Sequence, residues 1–265
     1  GSSSAAGEDA KVAAGRRRRA VGAAEGGEDA GNDNENEHRG LIASLKEQNI
    51  IEMIDAAGAE SGRKTLIGSS TDQGMTSFAN KTTQQLGDEM DPMSVGVGYT
   101  CHKGLKPESP NQDSWFMLKT DSFSIYAVLD GHGQKGHDVS HFVKENLPKL
   151  ILKDPRFKTP DMPAMLKDIF RKTQSLIDTA DLMKQLSAQM SGTTATVCVH
   201  DHRLNKITVA HVADSTCVLG RIPKSGNKKD VQGIPLTRDH KPNLKDERAR
   251  IENNGGGGGF RGGAN

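Results

Sequence analysis

Aromatic residues are scarce: one tryptophan, two tyrosines and seven phenylalanines make up 4% of 265 residues. With hydrophobic residues at 34%, the chain is not packed throughout, and the deficit is concentrated near its start. Residues 1–38 are mainly Gly, Ala, Ser, Glu, Asp and Asn around the run Arg16-Arg17-Arg18-Arg19. Such a segment buries too little surface to offset its ordering entropy and reads as disordered. The arginine run is a candidate nuclear-import or anionic-surface contact, but its acidic neighbours favour a plainly solvated segment.

Charge of one sign is also missing. Thirty-five basic against 34 acidic residues leave a net charge of +1, so no global field points to nucleic acid as a partner. Cysteine is limited to Cys101, Cys198 and Cys217, an odd number without C-x-x-C spacing. Cys198 and Cys217 lie in apolar, strand-like runs, which suits reduced thiols in a reducing compartment. No run approaches the roughly 18 apolar residues of a membrane span, and no signal-peptide core opens the chain. Ala5 stands where an N-myristoylation pattern needs Ser or Thr. The expectation is an intracellular protein, cytoplasmic or nuclear, neither secreted nor membrane-spanning. The first residue is not methionine, which suits a fragment or a processed form.

The chain divides into four stretches. Residues 1–60 form a low-complexity tail with a short helix at 41–54, where Leu41, Ile42, Leu45, Ile50, Ile51 and Ile54 mark an apolar side. Residues 61–93 are polar and read as a linker. An ordered domain spans 94–256, followed by a Gly-rich tail at 257–265. Within the domain, strands are expected at Val95–Cys101, Ser114–Leu118, Phe123–Leu129, Ala195–His200, Ile207–Ala213 and Cys217–Ile222. Two helices are expected between them, His137 to Leu152, broken near Pro148, and about Asp161 to Ser187. Asn243 reads as the cap of a last short helix. Strands grouped on either side of a helical pair give an α/β (α+β) sandwich of mainly antiparallel sheets with helices outside.

The most informative stretch is Ala127-Val-Leu-Asp-Gly-His-Gly133. A buried-looking strand there delivers Asp130, Gly131 and His132 to the rim of a sheet. Asp113 and Asp214 also fall at turns or strand ends. Carboxylates in such places, with a carbonyl freed by glycine, suit Mg²⁺ or Mn²⁺ rather than zinc. Asp130 can bridge two ions and the Gly131 carbonyl can ligate one. A dinuclear site activates water near neutral pH, and His132 is placed to protonate a departing alkoxide.

Five segments carry a family resemblance: Asn111-Gln-Asp113, Val128-Leu-Asp-Gly-His-Gly133, Ser191-Gly-Thr-Thr-Ala195, Val212-Ala-Asp-Ser215 and Leu236-Thr-Arg-Asp-His-Lys-Pro242. In this order and spacing they resemble the motifs of the type 2C metal-dependent serine/threonine phosphatases, from about Ser94 to Gly256. The resemblance implies a sandwich of two antiparallel sheets with a Mg²⁺ or Mn²⁺ pair at their edge. It implies Asp130 bridging both ions, the Gly131 carbonyl on one, Asp113 holding metal-bound waters, and Asp214 serving a third, weaker ion. His132 becomes the general acid for a serine or threonine leaving group, and Ser191, Gly192 and Thr193 shape the cleft floor. The implied activity is hydrolysis of phosphoserine and phosphothreonine on phosphoprotein substrates by a monomer.

The departures matter as much. Gln112 stands where many members carry Glu, able to orient a water but adding no charge. Glu108 stands where many carry a phosphate-binding Arg, leaving Lys103 or Lys106 as substitutes. Ala213-Asp-Ser-Thr216 replaces a more usual Gly-Asp-Ser-Arg. The family continues after the Leu236–Pro242 motif with further strands and two more metal-binding aspartates, whereas this chain runs into a Gly-rich stretch. A truncated domain with open strand edges is therefore expected. Two rivals remain: a zinc hydrolase using His132, His137 and His141, and a catalytically inactive phosphatase-like domain that binds phosphoproteins or regulates a partner.

Overall fold

A computed structural model of the chain describes residues 27–57, 62–70, 81–105, 110–223 and 230–255. It begins with helices α1 (Gly27–Glu47) and α2 (Ile50–Ala56) and strands β1 (Lys64–Ser69) and β2 (Thr83–Gly87). Strands β3 (Ser114–Thr120), β4 (Phe123–Leu129) and the short β5 (Gly131–Gly133) lead into helices α3 (Gly136–Lys153) and α4 (Met162–Leu182). Strands β6 (Ser191–Thr193), β7 (Ala195–Asp201), β8 (Lys206–Val212), β9 (Val218–Arg221) and β10 (Gln232–Pro235) precede helix α5 (Lys245–Asn253).

Six strands make one antiparallel sheet in the order β2-β1-β3-β4-β7-β8. Side chains alternate across a strand, so Phe123, Ile125, Ala127 and Leu129 of β4 share one face. In register beside them lie Phe116 and Leu118 of β3 and Val197 and Val199 of β7. Helices α3 and α4 cover this face with apolar stripes at helical spacing: Val139, Val143, Leu147 and Ile151, then Met165, Ile169, Leu176 and Ala180. The helix α3 runs through Pro148 without a break. Burial of Leu147, Leu150 and Ile151 around it outweighs the roughly 3 kcal/mol that an interior proline costs.

The opposite face carries a smaller cluster of Ile67, Met90, Trp115 and Met117, covered by Val95, Val97 and Cys101. Farther along this face Val128 and Ile207 stay exposed. Mainly antiparallel sheets flanked by helices, as expected from the sequence, therefore describe the fold; among the described residues the remaining strands form the two-stranded β9–β10 and β5–β6 pairs.

Four boundaries need correction. The expected linker at 61–93 contains β1 and β2, which extend the central sheet. Strand β1 packs a partly buried Leu66 against the main core and a buried Ile67 on the opposite face, while β2 (Thr-Gln-Gln-Leu-Gly) is wholly exposed, so its polar composition is that of an edge strand. The tail expected to be disordered except at 41–54 contains α1, beginning at Gly27, and α2. Leu45 and Ile54 are fully buried in the main core. Lys149 Nζ donates to the Leu45 carbonyl at 2.6 Å, and Asn49 Oδ1 accepts the Ile51 N–H at 3.0 Å to cap α2. Val95–Cys101 is not a strand: Met93–Val95 makes one 3₁₀ turn closed by Gly96 at φ +71°. Asn243 does not cap α5, whose N-cap is Leu244.

Candidate active site

Strand β4 ends at Leu129, and the chain turns so that Asp130, Gly131 and His132 enter a cleft of about 710 Å³. Asp113, Gln112, Asn111 and Lys103 line the same cleft. The Asp130 main chain is pinned from both sides by one residue. Its N–H donates to Thr194 Oγ1 at 2.9 Å, and its carbonyl accepts the Thr194 N–H at 2.9 Å. Asp113 is fixed by an Asx turn in which Asn111 Oδ1 accepts its N–H at 3.0 Å.

These two anchors bring the Asp113 and Asp130 carboxyl groups within hydrogen-bond reach, with the Gly131 N–H also on Asp113. Burial first, then the charge of Asp130, pushes the Asp113 carboxyl up to about 6, against a smaller opposing effect of Lys81. Two carboxylates held together in a half-buried cleft repel one another, and a hard divalent cation relieves that repulsion with the oxygen donors it prefers. The residues present fit such an ion. Asp113, Asp130 and the Gly131 carbonyl are the groups that would hold it.

Strands β5 and β6 pair so that His132 faces Gly192 and Gly133 faces Ser191. A Cβ built on Gly192 would stand 2.8 Å from His132 Nε2, so the absent side chain is the space the imidazole occupies. Ser191 Oγ accepts the Lys135 N–H at 2.8 Å. The Ser191-Gly-Thr-Thr194 motif thus holds the whole Asp130–Lys135 turn. Gly131 has the tighter fit, because a Cβ there would lie 2.3 Å from the Gln112 carbonyl oxygen and 2.6 Å from that of Gly136. Gly131→Ala is expected to cost about 1–3 kcal/mol in chemical denaturation, since backbone must move. Gly192→Ala is expected to leave stability within about 1 kcal/mol and to displace the His132 ring instead.

Gln112 is not free to address water alone: its Nε2 donates to the Gly133 carbonyl at 2.7 Å. Asp214 is exposed and does not line the cleft of Asp113 and Asp130. Its neighbour Ser215 connects to that cleft through Thr194, Oγ to Oγ, at 2.6 Å. Lys103 is buried and lines the cleft, whereas Lys106 and Glu108 lie outside the described residues. The three histidines of the zinc reading are not gathered. His141 lines a separate groove with Ile42, Lys46 and Glu145, and His137 Nε2 lies 3.4 Å from its neighbour Asp138. Among the described residues no three His, Cys, Asp or Glu side chains form a metal-binding group.

Lys81 escaped the sequence reading. It is buried, and its Nζ donates to the main-chain carbonyls of Asn111, at 3.4 Å, and Asp113. A lone lysine in a polar stretch carries no signal of this. Thr194, inside a recognised motif, did.

The fold and cleft define an α/β domain with paired carboxylates and an imidazole at the ends of antiparallel strands. The family profile "Protein phosphatase 2C" matches residues 100–260. The rice (Oryza sativa subsp. japonica) protein "Probable protein phosphatase 2C 7" is 30% identical over 211 residues, covering 76% of this chain and 51% of its own. "Protein phosphatase 2C homolog 2" of Hypocrea jecorina is 35% identical over 164 residues, covering 62% of this chain and 33% of its own. Among solved structures, a C. elegans sex-determining protein aligns at TM-score 0.44 and 25% identity, over 59% of this chain and 38% of its own. The chain belongs to the protein phosphatase 2C family. It spans about half of the rice relative and a third of the fungal one.

Proposed function

We propose that this chain contributes the carboxylate pair and the proton donor of a metal-dependent protein serine/threonine phosphatase. The observation that supports this most is the meeting of Asp113 and Asp130 in one cleft with His132. When bound, Mg²⁺ or Mn²⁺ ions supply charge neutralisation at the phosphoryl group and an activated water as nucleophile. Asp113, Asp130 and the Gly131 carbonyl hold the cation, and Asp214 serves a further, weaker ion. Gln112 braces the turn through Gly133 and orients water with its remaining capacity. Lys103, or Lys106 three residues on, provides positive charge for the substrate phosphate. As the P–O bond breaks, the imidazolium of His132 gives its proton to the departing serine or threonine oxygen.

Phosphoproteins are the proposed substrates. The free thiols Cys101, Cys198 and Cys217 support a reducing, intracellular setting, and no helix among the described residues is long and apolar enough to cross a membrane. A second reading, a phosphatase-like domain that binds without catalysis, is favoured by one observation. No third carboxylate joins Asp113 and Asp130 among the described residues.

Leaving-group dependence tests the proton-donor role. His132→Gln is expected to slow hydrolysis of a phosphothreonine peptide by about 10²–10⁴-fold. The loss on p-nitrophenyl phosphate, whose phenolate departs without a proton, should be far smaller. Equal losses on both substrates would remove His132 from that role.

A further inference from the structure

The Leu236-Thr-Arg-Asp-His-Lys-Pro242 motif contributes nothing to the cleft, yet it runs alongside the turn that carries Asp214. At one end the Leu236 N–H donates to the Cys217 carbonyl at 2.8 Å, and Thr237 Oγ1 accepts the Cys217 N–H at 2.9 Å. In the middle the Asp239 side chain is hydrogen-bonded to Thr216. At the other end the bonding is reciprocal. The His240 N–H donates to the Ala213 carbonyl at 3.0 Å, and His240 Nδ1 accepts the Ala213 N–H at 3.3 Å. The ring also stacks on His211, with centroids 4.6 Å apart and planes inclined by 26°.

The residue so gripped has an unusual backbone. Ala213 lies at φ +72°, in the left-handed region that a side chain with a Cβ disfavours. Glycine would sit there without strain; alanine does so only where its surroundings hold it. The conformation of Ala213 sets the direction in which the next residue, Asp214, leaves the chain.

We infer that His240 is a positioning residue. Its main-chain and imidazole hydrogen bonds keep Ala213 in the left-handed conformation and thereby hold the Asp214 turn in place for its ion. Thr237 fixes the far end of the same turn. The inference rests on the proposed role of Asp214, and it assigns the motif's histidine a task separate from acid–base chemistry.

Two measurements on the full chain test it: backbone hydrogen exchange at the Ala213 amide without metal, and calorimetric Mn²⁺ titration. Both are made on the parent chain and on His240→Leu, His240→Asn and Asp214→Asn. In His240→Leu the Ala213 amide is expected to exchange about three- to tenfold faster, and the weaker Mn²⁺ step that Asp214→Asn removes should vanish as well. His240→Asn should retain both, because the asparagine Oδ1 can accept the same N–H. Unchanged Ala213 exchange in His240→Leu overturns the inference. So does faster exchange with the weaker Mn²⁺ step intact, which leaves the assignment of Asp214 standing. If Asp214→Asn itself removes no Mn²⁺ step, the assignment of Asp214 fails and the positioning role fails with it.

Discussion

Asp130→Asn is expected to abolish tight Mn²⁺ binding and to lower phosphopeptide hydrolysis by on the order of 10³-fold. Asparagine keeps the shape of the side chain, and the main-chain bonds to Thr194 do not depend on it. What disappears is one of the two negative charges that face each other across the cleft. The Asp113 carboxyl, pushed up to about 6 partly by that charge, should fall back toward its ordinary range.

The change has an opposite consequence for stability. A carboxyl whose folded pKa lies above its unfolded value stabilises the fold below the unfolded pKa and loses that contribution as pH rises. For Asp113 the window runs from about 4 to about 6. The metal-free parent should therefore be less stable at pH 7 than at pH 5. Asp130→Asn should show a smaller decline and exceed the parent in stability at pH 7 without metal. Added Mn²⁺ should reverse that ranking, because only the parent gains the binding energy of the tight site. Thermal unfolding at pH 5 and pH 7, with and without Mn²⁺, reads all of these outcomes.

Ile54→Ala is the second large effect. Ile54 is a fully buried residue of α2, in the same cluster as Phe116, Leu118 and Leu147. Deleting three methyl(ene) groups from such a site costs about 2–5 kcal/mol, including the cavity left behind. That is a large share of the ~5–15 kcal/mol that holds an ordinary domain folded. A residue on a detached tail would change stability by no more than about 0.5 kcal/mol. Urea denaturation of Ile54→Ala and Leu45→Ala at fixed pH separates the two cases. A shift within that smaller range would mean that α1 and α2 do not belong to the core.

The elements of the fold differ in how legible they are in the sequence. Strand β4 could be read to the residue, because Phe123–Leu129 is apolar on both sides and ends in a glycine turn. Helix α4 announced itself through Met165, Ile169, Leu176 and Ile177. Strands β1 and β2 gave no such signal. A six-residue strand with one large apolar side chain toward each face shows no alternation, and an exposed edge strand needs no apolar residue at all. Residues 33–39 of α1 are polar because most of them face water, and composition does not distinguish that from disorder. Gly87 marks the end of β2, at φ +85° against the Lys64 carbonyl; in the sequence it looks like any linker glycine.

Within the candidate site, the residues that touch one another locally were legible, and those joined through the fold were not. Asp130, Gly131 and His132 are adjacent in sequence, and Asp113 sits in a recognisable turn. The hold of Thr194 on Asp130 spans 64 positions in the chain and depends on the pairing of β5 with β6. The buried contact of Lys81 with Asp113 spans 32 and depends on β1 and β2 being in the sheet. Both follow from tertiary placement, which local pattern does not encode.

The most direct measurement is phosphate release from a phosphothreonine peptide by the 265-residue chain as Mn²⁺ is titrated in, with Asp130→Asn alongside. Release that is absent without Mn²⁺, saturates as it is added and disappears in the variant is the expected result. No release at any Mn²⁺ concentration, or release that persists in Asp130→Asn, would contradict the assignment of catalysis to the Asp113–Asp130 cleft.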